Sequence, residues 1–168
     1  KPKLDQPVSD DYARKLTHGY YASISYVDHL IGQLLSELKS LDLDKNTMII
    51  LWGDHGWHLG NDRKWGKHSL FERSLKSVLV VKLPGRQKSS KEIKTIVESV
   101  DLYPTLLDFC GIERPYELDG ESLLRYIQLG KTDKHTRAFG FWKDGVSLRT
   151  GSYLSLIHIS EPTRRTPI

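Results

Sequence analysis

Thr47-Met-Ile-Ile-Leu-Trp52 is apolar at nearly every position and is cut off abruptly by Gly53-Asp54-His55-Gly56. A strand with one wet face alternates in polarity, whereas an unbroken apolar run is the look of a strand covered on both faces, as in a parallel sheet. Just ahead of it, Tyr12, Leu16, Tyr20, Ile24, Val27, Ile31, Leu34 and Leu38 recur at steps of three and four residues. That spacing places them on one stripe and predicts a long amphipathic helix. Ser9-Asp-Asp supplies an N-cap and acidic first-turn residues, both favourable where helical N–H groups lack partners. The helix should end near Leu41–Lys45, before the strand.

The alternation of helix and strand continues. A second apolar run, Ser77 to Leu83, stops at the turn signal Pro84-Gly85 and is followed by the polar loop 86–91. Ile93–Val97 suggests a short strand, and Asp101–Cys110 a helix with Gly111 as its C-cap. Gly120–Ile127 reads as one more short helix. Phe139-Gly-Phe-Trp142 and Val146-Ser-Leu-Arg149 predict a hairpin turning at Lys143-Asp-Gly145. The fold class is therefore α/β, a mixed sheet flanked by helices with a small antiparallel appendage. No internal repeat is present.

Composition removes several function classes. Among 168 residues, 25 Lys+Arg face 21 Asp+Glu, and the cations are interspersed with carboxylates, which argues a solvated surface against a nucleic-acid patch. With 38% hydrophobic and 27% charged residues the chain is neither a disordered tail nor a membrane protein, and its apolar runs are too short to cross a bilayer. The single cysteine, Cys110, excludes an internal disulfide framework and a multi-cysteine zinc site, and is expected on the packed face of its helix. Lys1–Pro7 holds no apolar signal segment, and the chain begins without Met, so a longer N-terminus is expected. Leu154–Ile168 resembles the in-frame translation of a transposase adapter used in sequencing libraries, so this stretch is expected to be foreign to the protein.

The chemistry concentrates where the first strand ends, the place where α/β sheets gather ligands. Asp54 and His55 leave that end together between glycines that relieve crowding, and a carboxylate beside an imidazole makes a plausible metal corner or catalytic pair. The loop that follows carries His58, Arg63, Lys64, Lys67 and His68, with Trp57 and Trp65 interleaved. It reads as a solvated loop, as a nucleic-acid contact, or as a loop folded back over the strand end. In that last case an ammonium would meet an anion such as sulfate or phosphate.

Leu51-Trp-Gly-Asp-His-Gly-Trp-His-Leu-Gly60, followed by Trp65-Gly-Lys-His-Ser-Leu-Phe-Glu72, closely resembles the type I sulfatases of the alkaline phosphatase superfamily, in their iduronate-2-sulfatase-like branch. Tyr20-Tyr-Ala-Ser-Ile-Ser-Tyr-Val-Asp28, Val100-Asp-Leu-Tyr-Pro-Thr-Leu106, Leu118-Asp-Gly-Glu-Ser-Leu-Leu124 and Ser147-Leu-Arg-Thr150 are similar to further family segments. The resemblance covers roughly residues 9–153. It implies the C-terminal part of the catalytic domain over 1–130, the start of a small C-terminal subdomain over 131–153 and the foreign tail over 154–168. It also implies hydrolysis of sulfate esters with a formylglycine beside calcium, on a sulfated sugar or glycosaminoglycan-type substrate, in a periplasmic, secreted or lysosomal protein. No nucleic-acid or membrane partner is expected.

Carried over residue by residue, the resemblance makes Asp54 and His55 metal ligands and Lys67 a contact of the sulfate and the formylglycine hydroxyl. His68 receives a substrate-facing or acid role. Trp57 and His58 are candidate walls of the sugar pocket, or braces of the loop, and Lys64 or Arg63 a reader of a substrate carboxylate. The family's Cys/Ser-x-Pro-x-Arg nucleophile segment is expected to be absent from this chain, as are its paired first-strand aspartates. This polypeptide is therefore expected to carry half a calcium site, to be inactive alone, and to expose an unpaired sheet edge. Two alternatives stand beside it: a zinc-dependent phosphoesterase or phosphotransferase of the same superfamily, and a non-catalytic anion- or glycan-binding relic.

Overall fold

The computed structural model describes residues 8–85, 92–130 and 136–158. The N-terminal Lys1–Pro7, the polar loop 86–91 and the end of the tail, 159–168, were read in the sequence but lie outside the described residues. The chain divides into two compact units, one formed by 1–67 with 76–88 and the other by 68–75 with 89–168.

The first unit opens with α1, Asp10–Ser40, where the Ser9 hydroxyl accepts a hydrogen bond from the Tyr12 N–H at 3.4 Å. Asp10 and Asp11 lie in its first turn, next to the positive end of the helix dipole. Its apolar stripe forms as the spacing predicts but is little covered: Ile24, Val27 and Leu34 are 48%, 51% and 62% exposed. The apolar run becomes β1, Ile49–Trp52, and the second run contains a strand at Leu79–Lys82. These two pair antiparallel, from Ile49↔Lys82 to Trp52↔Leu79, so the parallel pairing expected of β1 is not what forms. Leu51 and Trp52 are exposed. The reason is physical: an apolar run reports that both faces of a strand are greasy but carries no information on the direction of its neighbour.

Beyond β1, the Gly53 N–H donates to the Val78 carbonyl at 2.9 Å and extends the pairing up to Asp54. The chain then makes a short hairpin, β2 (His58–Leu59) with β3 (Trp65–Gly66). The strand at Leu79–Lys82 is β4, after a single helical turn, α2, at Glu72–Leu75. No helix among the described residues is long and apolar enough to cross a membrane.

In the second unit, α3 (Leu102–Cys110) ends at Gly111, whose φ of 65° and N–H bond to the last-turn carbonyls make it the expected left-handed C-cap. Its packed face is Pro104, Thr105 and Leu107. Cys110 is exposed, not packed as expected, because the covering segment bonds to the first turns through Leu123 and Cys110 lies in the last turn. The next helix, α4, spans Leu124–Leu129, starting later than Gly120 because the Gly120 backbone lies directly against the Val100 carbonyl and 120–123 make loop contacts instead. Ile93–Val97 forms no strand. The Ile96 N–H donates to the Thr136 hydroxyl at 2.9 Å, a bond to a side chain and not a rung of a ladder.

That sheet is β5 (Arg137–Trp142), β6 (Gly145–Thr150) and β7 (Leu154–His158), all antiparallel. The predicted hairpin forms, but its turn is Lys143 and Asp144 alone, with Lys143 at φ 51°. Gly145, read as part of the turn, pairs with Trp142 as the first residue of β6. β7 begins the stretch read in the sequence as foreign, and pairs with β6 from Arg149↔Leu154 to Gly145↔His158. Residues 68–75 lie on the same unit: Arg149 Nε donates to Glu72 Oε2 at 2.8 Å, and Leu70 and Leu75 sit where a side chain on Gly145 or Gly140 would collide with them.

Thr105 ties this unit together. Its hydroxyl, 1% exposed, donates to the Asp101 carbonyl at 2.6 Å and accepts from the Leu123 N–H at 2.8 Å. Thr105→Val keeps the shape but strands a buried N–H, so denaturant unfolding should show a loss of about 1–3 kcal/mol.

Candidate functional site

The strand pairing carries the chain to Gly53, and Asp54 and His55 leave it in irregular backbone. His55 is the centre of the arrangement. Its Nδ1 lies 2.8 Å from the Gly56 carbonyl, and its Nε2 lies 2.6 Å from Lys67 Nζ and 3.2 Å from Asp54 Oδ2. A carbonyl only accepts, so Nδ1 carries a proton; an ammonium only donates, so Nε2 turns a lone pair toward Lys67. The lone pair that meets Lys67 lies beside the Asp54 carboxylate. Two electron-pair donors this close repel each other unless a cation sits against them, and Lys67 supplies one.

Asp54 is 73% exposed in its side chain and His55 only 27%, so the carboxylate opens to solvent while the ring is held from behind. The holding group is Trp57. Its ring lies 5.9 Å from that of His55, tilted by 33°, and stacks on Tyr20 of α1 at 6.0 Å and 25°. Tyr20 was read in the sequence as part of the helix stripe and of a family-like segment, with no role in the site. An aromatic on that stripe was the available signal, but nothing in a sequence couples residue 20 to residue 57.

Lys67 is delivered by the β2–β3 hairpin. Between its strands the Gly60 N–H donates to the Lys64 carbonyl at 2.9 Å and the Lys64 N–H to the Asn61 carbonyl at 2.9 Å, closing the loop on itself. Gly60 has φ 88°, and a Cβ there would meet the Trp65 ring at 2.9 Å. His58 is 1% exposed, while Trp57 keeps 38% of its surface in solvent. Arg63 and Lys64 stand at the hairpin tip, Arg63 with a positive φ of 56°. His68 belongs to the other unit, where its ring stacks on Trp142 at 4.7 Å and 14°, a partner 74 residues away that the sequence reading did not anticipate.

As a metal site, the geometry brings together one carboxylate and one imidazole nitrogen; among the described residues no group of three or more His, Cys, Asp or Glu is placed to hold an ion. Calcium takes six to eight oxygen donors, so these two fit part of a divalent cation's shell. The Nδ1–H bond to a backbone carbonyl is the support a ligating histidine typically has.

A sequence profile described as Sulfatase matches residues 2–112, which include this whole site. This chain belongs to the sulfatase family. A sulfatase of Formosa agariphila is 34% identical over 137 residues, covering 82% of this chain and 27% of that protein. Mouse iduronate 2-sulfatase is 31% identical over 169 residues, covering 80% of this chain and 31% of that protein. The structure of BT4656 in complex with its substrate D-glucosamine-2-N,6-O-disulfate superposes with a TM-score of 0.76 at 28% identity, over 82% of this chain and 30% of that one. A phosphonate monoester hydrolase of Silicibacter pomeroyi gives 0.79 at 26% identity, over 94% of this chain and 35% of that one. This sulfatase chain spans about a quarter to a third of the length of these relatives. Its mixed helix and strand architecture is that of the alkaline-phosphatase-like sulfatases, here in small antiparallel sheets. The family uses a metal and a formylglycine in general. The letters of the nucleophile segment do occur at Ser160-Glu-Pro-Thr-Arg164, but downstream of the site loop and outside the described residues.

The hairpin that carries Lys67 depends on Gly60. Gly60→Ala adds both the left-handed backbone strain and the collision with Trp65, and should cost about 1–2 kcal/mol. Hydrogen exchange of the Gly60 and Lys64 amides should accelerate before that of α1.

Proposed function

We propose that the loop leaving β1 is the cation- and anion-binding part of a sulfuric ester hydrolase centre, in a protein that removes sulfate from sulfated sugars in the manner of the iduronate 2-sulfatases. The observation that supports this reading is the convergence of Asp54, His55 and Lys67, with Lys67 Nζ 2.6 Å from His55 Nε2. When bound, a divalent cation, calcium in this reading, draws electron density from the sulfuryl oxygens, and formylglycine supplies the nucleophilic hydroxyl.

This chain's own residues do the rest. Asp54 and the Nε2 of His55 are the groups that would hold the cation, with the Gly56 carbonyl taking the Nδ1 side of the ring. The Lys67 ammonium, which meets Nε2 here, would give that lone pair up to the cation and turn to the anion. Lys67 fixes a sulfuryl oxygen as a point charge and stabilises the negative charge that grows as the ester bond breaks. The exposed part of the Trp57 indole is a wall against the sugar. His58, buried, acts as a brace of the loop and not as a wall. Lys64 and Arg63 at the hairpin tip read an acidic group on the substrate, and His68 faces the substrate.

In the complete enzyme, Lys67→Ala should lower kcat/KM on a sulfate monoester by about 10²–10³-fold, the scale of losing one charge-stabilising donor. Undiminished hydrolysis removes Lys67 from the mechanism. A second reading, phosphate or phosphonate ester hydrolysis, is favoured by the likeness to the phosphonate monoester hydrolase. Chelator-stripped complete enzyme separates the two: recovery by calcium with turnover of sulfate esters supports the first, and recovery by zinc with turnover of phosphonate or phosphate esters the second.

A further inference from the structure

We infer that Tyr20, on the long first helix, is a positioning residue for His55, acting through Trp57; the consequence for cation binding rests on the function proposed above. A histidine ring has two side-chain torsions to lose before its nitrogen has a fixed direction. The bond from Nδ1 to the Gly56 carbonyl, at 2.8 Å, selects which edge of the ring points outward. It leaves the tilt of the ring plane free. That tilt is set by the Trp57 ring, 5.9 Å away and inclined by 33°.

Trp57 cannot supply this support by itself. It lies in irregular backbone between Gly56 and the two-residue strand β2, and 38% of its surface is exposed. Tyr20 presses on it as a near-parallel stack, 6.0 Å between centroids and 25° between planes. Tyr20 has what Trp57 lacks: a place in the middle of a 31-residue helix, whose backbone is hydrogen-bonded turn upon turn. Offset stacks of this kind add attraction beyond the area they bury. The chain of three rings therefore transmits the rigidity of the helix to the imidazole, and from there to the lone pair at Nε2. Since the stack uses the face of the tyrosine ring, phenylalanine should serve equally well.

The test uses the chain itself, with Tyr20→Ala and Tyr20→Phe. The ring-proton resonances of His55 are followed by NMR, with and without added calcium, alongside global unfolding. Tyr20→Ala should move the His55 ring signals and weaken the calcium-induced change in them by about tenfold, the low end of what loss of a supporting contact costs a metal ligand. Tyr20→Phe should restore both. If Tyr20→Ala lowers overall stability but leaves the His55 signals and their calcium response unchanged, or if Phe fails to rescue them, Tyr20 is structural only and the inference falls. If instead the His55 signals move in Tyr20→Ala and return in Tyr20→Phe, but calcium leaves them unaltered in the wild-type chain, the positioning role stands. It is then the cation reading of the site that fails.

Discussion

One imidazole organises this site because its two nitrogens are given opposite duties. The Gly56 carbonyl takes the proton side of His55 and leaves Nε2 as a lone pair, and both Lys67 and Asp54 are built around that lone pair. If the ring flipped, a C–H would face the ammonium, and the carboxylate would lose its neighbouring donor. The assignment needs no titration argument. It follows from which groups can donate and which can only accept. The same constraint explains why the loop is so punctuated by glycine: Gly53 continues the β1–β4 pairing to the edge of the site, Gly56 supplies its carbonyl close by, and Gly60 lets the hairpin turn under Trp65.

Several local signals were legible in the sequence, although the strand read at Ile93–Val97 did not form and α4 starts later than its pattern suggested. Ser9 caps α1, Gly111 caps α3 and Lys143-Asp144 turns the β5–β6 hairpin, each because a short-range hydrogen-bonding or dihedral demand is met by residues a few positions apart. Family membership was legible too, since the loop from Leu51 to Glu72 is one contiguous stretch. What did not show was every fact that joins distant segments. The antiparallel direction of β1 against β4, the stack of His68 on Trp142 and the stack of Tyr20 on Trp57 depend on partners 27 to 74 residues away in register-specific contact. Hydrophobic periodicity says which face wants cover and is silent on what covers it. Cys110 fails for the same reason: it is in the right helix but one turn past the segment that packs on it.

The division of the chain at Lys67 and His68 bears on how the loop is to be understood. Two adjacent residues, both candidate substrate contacts from sequence, answer to different supports. Lys67 is placed by the β2–β3 hairpin and by His55, and His68 by the β5–β6 hairpin through Trp142. Arg149 and Glu72, paired at 2.8 Å, hold the same following segment on the second unit. Substitutions in the β5–β6 hairpin thus have a direct structural route to His68 that bypasses the Asp54–His55 pair, whereas substitutions in α1 reach His55 through Trp57 and have no such route to His68.

The donor pair also sets where metal selectivity must reside. A carboxylate oxygen suits hard cations such as calcium, and an imidazole nitrogen suits zinc at least as well. In the proposed reading, Asp54 and His55 together would place a cation without choosing it. Calcium with this pair needs four or more further oxygen donors and tolerates loose geometry, whereas zinc needs only about two more ligands held close to tetrahedral. The choice between them belongs to the groups that complete the shell, and sulfate against phosphate chemistry follows that choice. Swapping His55 for an oxygen donor such as Asn should accordingly harden the corner, shifting preference toward calcium, while keeping Lys67 within reach of the anion.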